Sequence, residues 1–282
     1  MNRPSPEMNE LYQVALEYFQ QGDYYHAVKI LKKIIRKEPH WAEPFFQLGQ
    51  IYKHQKDWKG TLYYHKKTVA LDSSNQTAWW NLGIAATALG RLRLAKTIWT
   101  KFGFTNFQKK TICIRFQRDQ QFEIVWGIQL DPTRVQLVSI PHPHSDRSYK
   151  DLILIDRSIV GHTIANNRRI PVFQELDLLK RSIYTTYTCW LFTTSEKAIQ
   201  TLQQLCQDAE LGFEVWSNAI RFKSLVKSGN LPEYFSPEML PLDQSTEGVQ
   251  IAISSKHKHL VQEVLGQWKI ITLESCSDFI AL

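Results

Sequence analysis

AEPFFQLGQIYKHQKDWKGTLYYHKKTVALDS (Ala42–Ser73) and QTAWWNLGIAATALGRLRLAKTIWTKF (Gln76–Phe102) begin 34 residues apart and read as two copies of one unit. Met8–Pro39 is an earlier copy at the same spacing. Each copy shows apolar side chains at helical period twice, interrupted by a short turn. The turns fall in register at Gly22-Asp23-Tyr24, Lys56-Asp57-Trp58 and Gly90-Arg91-Leu92. The first helices carry Leu11, Val14, Ala15 and Tyr18, then Phe45, Leu48, Gly49 and Tyr52, then Trp79, Leu82, Gly83 and Ala86. The second helices answer with Ala27, Leu31 and Ile34, then Leu62, Val69 and Leu71, then Ala95, Ile98, Trp99 and Phe102. Two short helices cannot bury an apolar face alone, so the copies must stack.

A 34-residue helix–turn–helix period with these residues resembles the tetratricopeptide repeat (TPR). The resemblance implies a protein-binding module over residues 1–106. Mid-helix glycines at 49 and 83 cost about 1 kcal/mol each relative to alanine, a cost that close helix contact would offset. The middle copy departs from the pattern. Thr61 replaces a small alanine, and His65 stands where a bulky apolar residue is usual. No polar capping helix follows Phe102, so the downstream segment is expected to cover the last repeat.

In a TPR stack the first helices line the concave groove. That direction assigns partner contact to Tyr12, Leu16, Phe19, Phe46, Trp80 and Ile84, with Gln50, Lys53 and Asn81 fixing a peptide backbone or an acidic side chain. Tyr12 and Leu16 occupy places where chaperone-binding TPR modules have the Lys and Asn of a carboxylate clamp, so no such clamp is expected.

Net charge is +7, and residues 1–104 hold 15 Lys and Arg against 8 Asp and Glu, which accounts for all of it. Lys29, Lys32, Lys33, Arg36 and Lys37 lie along one helix, with Lys66 and Lys67 in the equivalent helix of the next copy. Such a face suits an acidic protein segment or, as the alternative, nucleic acid phosphates. The simpler reading is a solvated outer face. No run approaches a bilayer span, and the first residues lack the apolar core of a secretory signal, so a cytoplasmic protein is expected. Cys113, Cys189, Cys206 and Cys276 are widely spaced and read as reduced core residues, not as a disulfide framework or zinc site.

Near Lys101–Lys110 the period changes from 3.6 to 2. Thr111–Phe116, Phe122–Gln129, Arg134–Ile140, Leu152–Ile155, Ile159–Ala165 and Ile170–Phe173 read as strands of a bent sheet or partial barrel within 107–182. Leu130-Asp131-Pro132-Thr133 reads as a hairpin turn. Within 183–282, Tyr184–Phe192, Glu196–Asp208 and Phe213–Trp216 read as strand, helix and strand. Ser195 is the expected cap and Gly212 the expected stop. Val249–Ser254, His257–Trp268 and Lys269–Glu274 repeat the order after a proline-bearing connection, Asn218–Gln244. Two such units fit a ferredoxin-like layer. The expected class is α+β and multidomain, a TPR solenoid followed by a β-rich and α+β part. The stretch Asp151–Phe192 is similar to modules that follow TPRs in bacterial proteins, a likeness that brings no activity with it.

Chemistry is sparsely signalled. His142, His144 and Asp146, with His162, are the best set for a divalent metal; a polar loop shaped by Pro141 and Pro143 is the plainer account. Glu175 and Asp177 could pair for acid–base work, or simply face solvent from a strand. Arg168-Arg169 after Asn166-Asn167 reads as a hairpin tip that could hold phosphate, and His257 and His259 as a surface turn. No phosphate-cradling glycine loop or nucleophile elbow occurs. The sequence therefore points to an adaptor or regulatory protein without metal or cofactor. An enzyme or small-molecule sensor in the C-terminal part is the rival.

Overall fold

Gly22, Lys56 and Gly90 are 34 positions apart, and all take left-handed backbone, with φ of 78°, 57° and 68°. After each, an amide of the turn closes back on the helix just ended: Asp23 N–H donates to Tyr18 O, Asp57 N–H to Tyr52 O, and Arg91 N–H to Ala86 O, at 2.8–2.9 Å. This is the hydrogen-bond pattern of a Schellman stop, which favours glycine because only glycine enters that backbone region without strain. The next helix starts at once. Asp23 accepts from His26 N–H at 3.1 Å and Asp57 from Gly60 N–H at 3.0 Å. The computed structural model describes residues 4–118, 121–165, 168–218, 223–224 and 248–282. These turns join α1 (Pro6–Gln20) to α2 (Tyr24–Lys37), α3 (Ala42–His54) to α4 (Trp58–Leu71) and α5 (Gln76–Ala88) to α6 (Leu92–Lys101).

The mid-helix glycines serve close approach. A Cβ added at Gly49 would meet the His65 ring at 2.7 Å, and one at Gly83 would overlap the Trp99 ring. His65 and Trp99 are themselves 34 residues apart, so one contact is built twice. In the first repeat the equivalent positions hold Ala15 and Leu31, both fully buried. The middle helix pair is thus closed by an imidazole where its neighbours use an isobutyl group or an indole. Thr61 is fully buried too, and its hydroxyl donates to Asp57 O at 2.8 Å.

The chain divides into two compact units, Met1–Phe107 and Gln108–Leu282. The second contains two sheets. β1 (Lys110–Arg118), β2 (Gln121–Gln129), β3 (Arg134–Leu137), β4 (Leu152–Ala165) and β5 (Arg168–Lys180) pair in sequence order and antiparallel. β5 then returns beside β1 and parallel to it, closing a barrel. A five-strand meander must close this way, since its first and last strands run in the same direction. β8 (Lys223–Ser224) adds a short pairing to β2. Ile112, Ile114, Phe116, Val125, Val135, Leu137, Ile153, Ile155 and Phe173 form the core. Gly127 faces it so tightly that a Cβ would overlap Val135 and reach Ile114 Cδ1 at 2.8 Å.

The expected β2–β3 turn is present: Asp131 accepts from Thr133 and Arg134 N–H at 3.0 and 2.8 Å. The two short strands expected at Leu152–Ile155 and Ile159–Ala165 are one strand, β4, whose register shifts around residues 156–158. The apolar alternation breaks there, and the antiparallel partner carries the strand through the break.

The second sheet comprises β6 (Thr185–Leu191), β7 (Gly212–Val215), β9 (Val249–Ser255) and β10 (Ile280–Ala281), in the order β10-β6-β9-β7 and all antiparallel. α7 (Glu196–Asp208) links β6 to β7, and α8 (Lys258–Thr272) links β9 to β10, each crossing one intervening strand. This is the split strand–helix–strand order of a ferredoxin-like layer. Its core joins Leu202 and Cys206 of α7, Val261, Leu265 and Trp268 of α8, and Cys189, Leu191, Ile251 and Ile253 of the sheet. Trp268 Nε1 donates to Ala198 O at 2.8 Å and ties the helices together.

Two local expectations are corrected. Lys269–Glu274 is not a strand, because α8 continues to Thr272 and stops at left-handed Leu273; the closing strand is β10. The β-branched run Ile270-Ile271 is exposed at that helix end, so tertiary packing of Val261, Leu265 and Trp268 overrides local propensity. Ser195 caps α7, accepting from Ala198 N–H at 3.3 Å, but the stop is left-handed Glu210, not Gly212. Gly212 begins β7, where a Cβ would press on the Tyr149 ring at 3.1 Å. Most of the connection Asn218–Gln244, and Asn166-Asn167, lie outside the described residues.

Candidate functional site

Contacts between successive first helices set α1, α3 and α5 side by side. Tyr12 of α1 packs on Trp41 at the start of α3, with ring centroids 5.0 Å apart. Phe19 of α1 meets His54 at the end of α3, edge to face at 5.6 Å. Between α3 and α5 the contact is polar: Lys53 Nζ donates to Asn81 Oδ1 at 2.8 Å, and Asn81 Nδ2 donates to Gln50 Oε1 at 2.7 Å. Lys53 and Gln50 lie three residues apart on one helix face, so a single asparagine can bridge both. The six helices have the helix–turn–helix fold of tetratricopeptide repeats at the 34-residue period of the sequence.

No protein-family model matches the chain. No curated protein matches it either. Among solved structures, the helical part is similar to the first TPR of Spaghetti (RPAP3) bound to HSP90 peptide SRMEEVD, with 24% identity over 36% of this chain and 84% of that one, at a TM-score of 0.33. The Yersinia enterocolitica type III secretion translocator chaperone SycD is similar at 17% identity over 34% of this chain and 73% of that one, with a TM-score of 0.32. For the CopN–Scc3 complex the values are 14%, 34% and 56%, at 0.33, so this chain spans little more than half of that one.

The TPR part holds every residue singled out from the sequence for partner contact, though not all on open surface. Tyr12, Leu16, Phe19, Phe46, Gln50 and Lys53 are half-buried. Asn81 is buried at the centre of the polar string. Trp80 and Ile84, expected to line the groove, are withdrawn from solvent. Trp80 packs on Trp99, Phe102 and Phe104, at 4.9, 5.3 and 6.3 Å, because the chain leaving α6 turns at left-handed Gly103 and lays both phenylalanines beside the indole. Burial and the nearby Glu43 carboxylate push the Tyr12 phenol up to about 12.

Beneath Phe46 lies the residue whose environment the sequence left open. His65 is fully buried with its ring edge-on to Phe46 at 5.5 Å, and neither ring nitrogen has a hydrogen-bond partner. Burial, reinforced by the Lys53 ammonium, lowers its pKa to about 3, so the imidazole is neutral at any physiological pH. Trp41 and His54 also belong to this face and went unread. Trp41 caps the start of α3 and His54 is its last residue, so each stands at the edge of the window over which helical periodicity is read.

The remaining candidates separate. His142 and His144 stack on each other at 4.7 Å, and His142 lies 5.2 Å from Trp216. Asp146 turns to Arg181 and Arg147, at 3.0 and 3.4 Å. His162 pairs with Arg169 at 3.1 Å in the β4–β5 hairpin. Among the described residues no three His, Cys, Asp or Glu side chains gather as a metal site. Glu175 is not a solvated strand carboxylate: it is held by Arg147 at 2.5 Å with little of either side chain exposed. Asp177 accepts from the next amide, Leu178 N–H, at 2.9 Å. His257 and His259 stack at 5.5 Å on an exposed turn. Among the described residues no helix is long and apolar enough to cross a membrane.

Proposed function

We propose that the three repeats bind an extended or helical segment of a partner protein across the layer of α1, α3 and α5. The observation that carries this reading is the Gln50–Asn81–Lys53 string. Polar groups on adjacent helices are held in fixed geometry beside half-buried aromatic side chains. Fixed polar groups among apolar ones are what peptide recognition needs: burial supplies affinity and the polar atoms set register. Tyr12, Leu16, Phe19 and Phe46 supply apolar contact; Trp80 and Ile84 support the face from within. The excess of +7 in residues 1–104 favours an acidic segment. On this reading the chain serves as an adaptor or regulatory protein of the cytoplasm.

The test uses the full chain. A partner identified by affinity capture from native cells is titrated against the protein and against Lys53→Gln and Phe19→Ala, each checked for native helicity. Affinity reduced about tenfold or more by either substitution supports the reading, the scale of one well-placed contact. Unchanged affinity in both variants removes it.

A further inference from the structure

The helices α2, α4 and α6 hold five, three and three Lys or Arg residues, eleven of the fifteen in residues 1–104, and not one Asp or Glu. Four carboxylates border these helices, and each is engaged by a backbone amide. Asp23 and Asp57 cap α2 and α4, Glu38 accepts from Ser5 N–H at 3.2 Å, and Asp72 accepts from Ser74 N–H at 3.0 Å. A helix face that only meets water usually mixes the two signs, because like charges three or four residues apart weaken the helix. Here cations succeed one another at that spacing. Lys29, Lys33 and Arg36 run along α2, and Lys59 and Lys67 stand one turn either side of Tyr63 on α4, all exposed.

Aromatic rings interrupt these rows on the solvent side. Tyr25 is 72% exposed and Tyr63 54%. Tyr25 begins the α2 row one turn before Lys29, and the Lys67 ammonium lies 6.0 Å from the Tyr63 ring centre. The repeat places both kinds of side chain at the same positions: Tyr25 corresponds to Lys59 and Arg93, and Tyr63 to Lys29, at intervals of 34. Tyr52 of α3 joins the rows. The Lys32 ammonium sits 5.9 Å over its ring, and Tyr64 of α4 stacks on it at 5.3 Å. The cations and rings of α2 and α4 therefore belong to one surface, on the second helices of the repeats and not on the layer of α1, α3 and α5.

We propose that this second-helix layer binds single-stranded nucleic acid, its cations holding phosphates while Tyr25 and Tyr63 stack on unpaired bases. A phosphate backbone supplies the regularly repeated negative charge that matches a row of cations. Every base has a π-face that an exposed ring can take, so the recognition is sequence-tolerant. An acidic polypeptide would satisfy the cations and leave both rings in water. A duplex would offer phosphates but keeps its base faces stacked inside. Only a single strand uses both parts of the surface.

The full chain is titrated by fluorescence anisotropy with a labelled oligouridine of about 20 nucleotides, longer than one such site, across a range of salt. Affinity should fall steeply with salt. Lys29→Gln with Lys33→Gln should flatten the slope of log K against log salt by about 0.7 for each cation removed. Tyr25→Ala and Tyr63→Ala, checked for native helicity, should each weaken binding about tenfold, whereas Tyr63→Phe retains it. Lys197→Gln, an exposed cation of α7, should change neither affinity nor slope. The proposal is overturned by an absence of binding at low salt, by equal affinity for a duplex of the same length, by displacement of the oligonucleotide by polyglutamate at equal charge, or by unchanged affinity in both Tyr→Ala variants. None of the substituted residues lies on the α1, α3 and α5 layer, so the outcome is separate from that of the peptide test.

Discussion

His65 shows how one side chain departs from a repeated plan. Its position holds Leu31 in the first repeat and Trp99 in the third, and all three are buried. A neutral imidazole there leaves a donor and an acceptor without partners, each costing roughly 1–3 kcal/mol. His65→Leu is therefore expected to stabilise the helical unit by about 1–2 kcal/mol, read by denaturant unfolding; a loss of stability would mean that unseen polar partners satisfy the ring. The pH dependence follows from the depressed pKa. The folded state resists protonation down to about 3 while the unfolded chain takes up a proton near 6.5, so the stability present above pH 6.5 is lost as pH falls between those values. The slope reaches about 1.4 kcal/mol per pH unit, and His65→Leu should abolish that contribution. Lys56 is a second departure, a lysine in the left-handed position that its counterparts give to glycine. Lys56→Gly should raise stability by about 1 kcal/mol, measured the same way.

Among elements, glycines in helices and strands mark where packing decides. Gly83→Ala places a methyl group inside the Trp99 ring contact and should cost about 1–3 kcal/mol. Gly49→Ala does the same against His65, and His65→Ala should relieve much of that cost in the double variant. Additive losses in thermal melts would show that the ring and the glycine do not meet. Gly127→Val is the barrel counterpart, and it should unfold the strand core because Val135 and Ile114 leave no space. Helices and hairpins with strong local periodicity were legible: Glu196–Asp208 has the expected bounds. Misreadings fell where the local signal opposed the tertiary one. Lys269-Ile270-Ile271-Thr272 favours strand by composition, yet it prolongs a helix anchored by Trp268. Barrel closure by β5 beside β1 joins residues about sixty apart, a pairing that no local pattern encodes.

For the whole molecule, charge and contact divide differently. All the net charge of +7 belongs to residues 1–104, and residues 105–282 are balanced. Partner affinity should therefore fall with salt in the full chain, and residues 105–282 should add little to the slope in a titration of affinity against ionic strength; a salt-independent affinity would remove charge as the basis of selection. The sequence by itself determined the repeat period, its turn positions, the helical and strand halves and where the charge lies. These are local or additive properties, readable one window at a time. Tertiary structure decided which candidates meet. It joined Gln50, Asn81 and Lys53, withdrew Trp80 and Ile84 into the interior, and placed His162 beside Arg169 while His142 stacks on His144. Those outcomes depend on contacts between residues distant in the chain, where packing geometry and burial, not spacing, fix both neighbours and protonation.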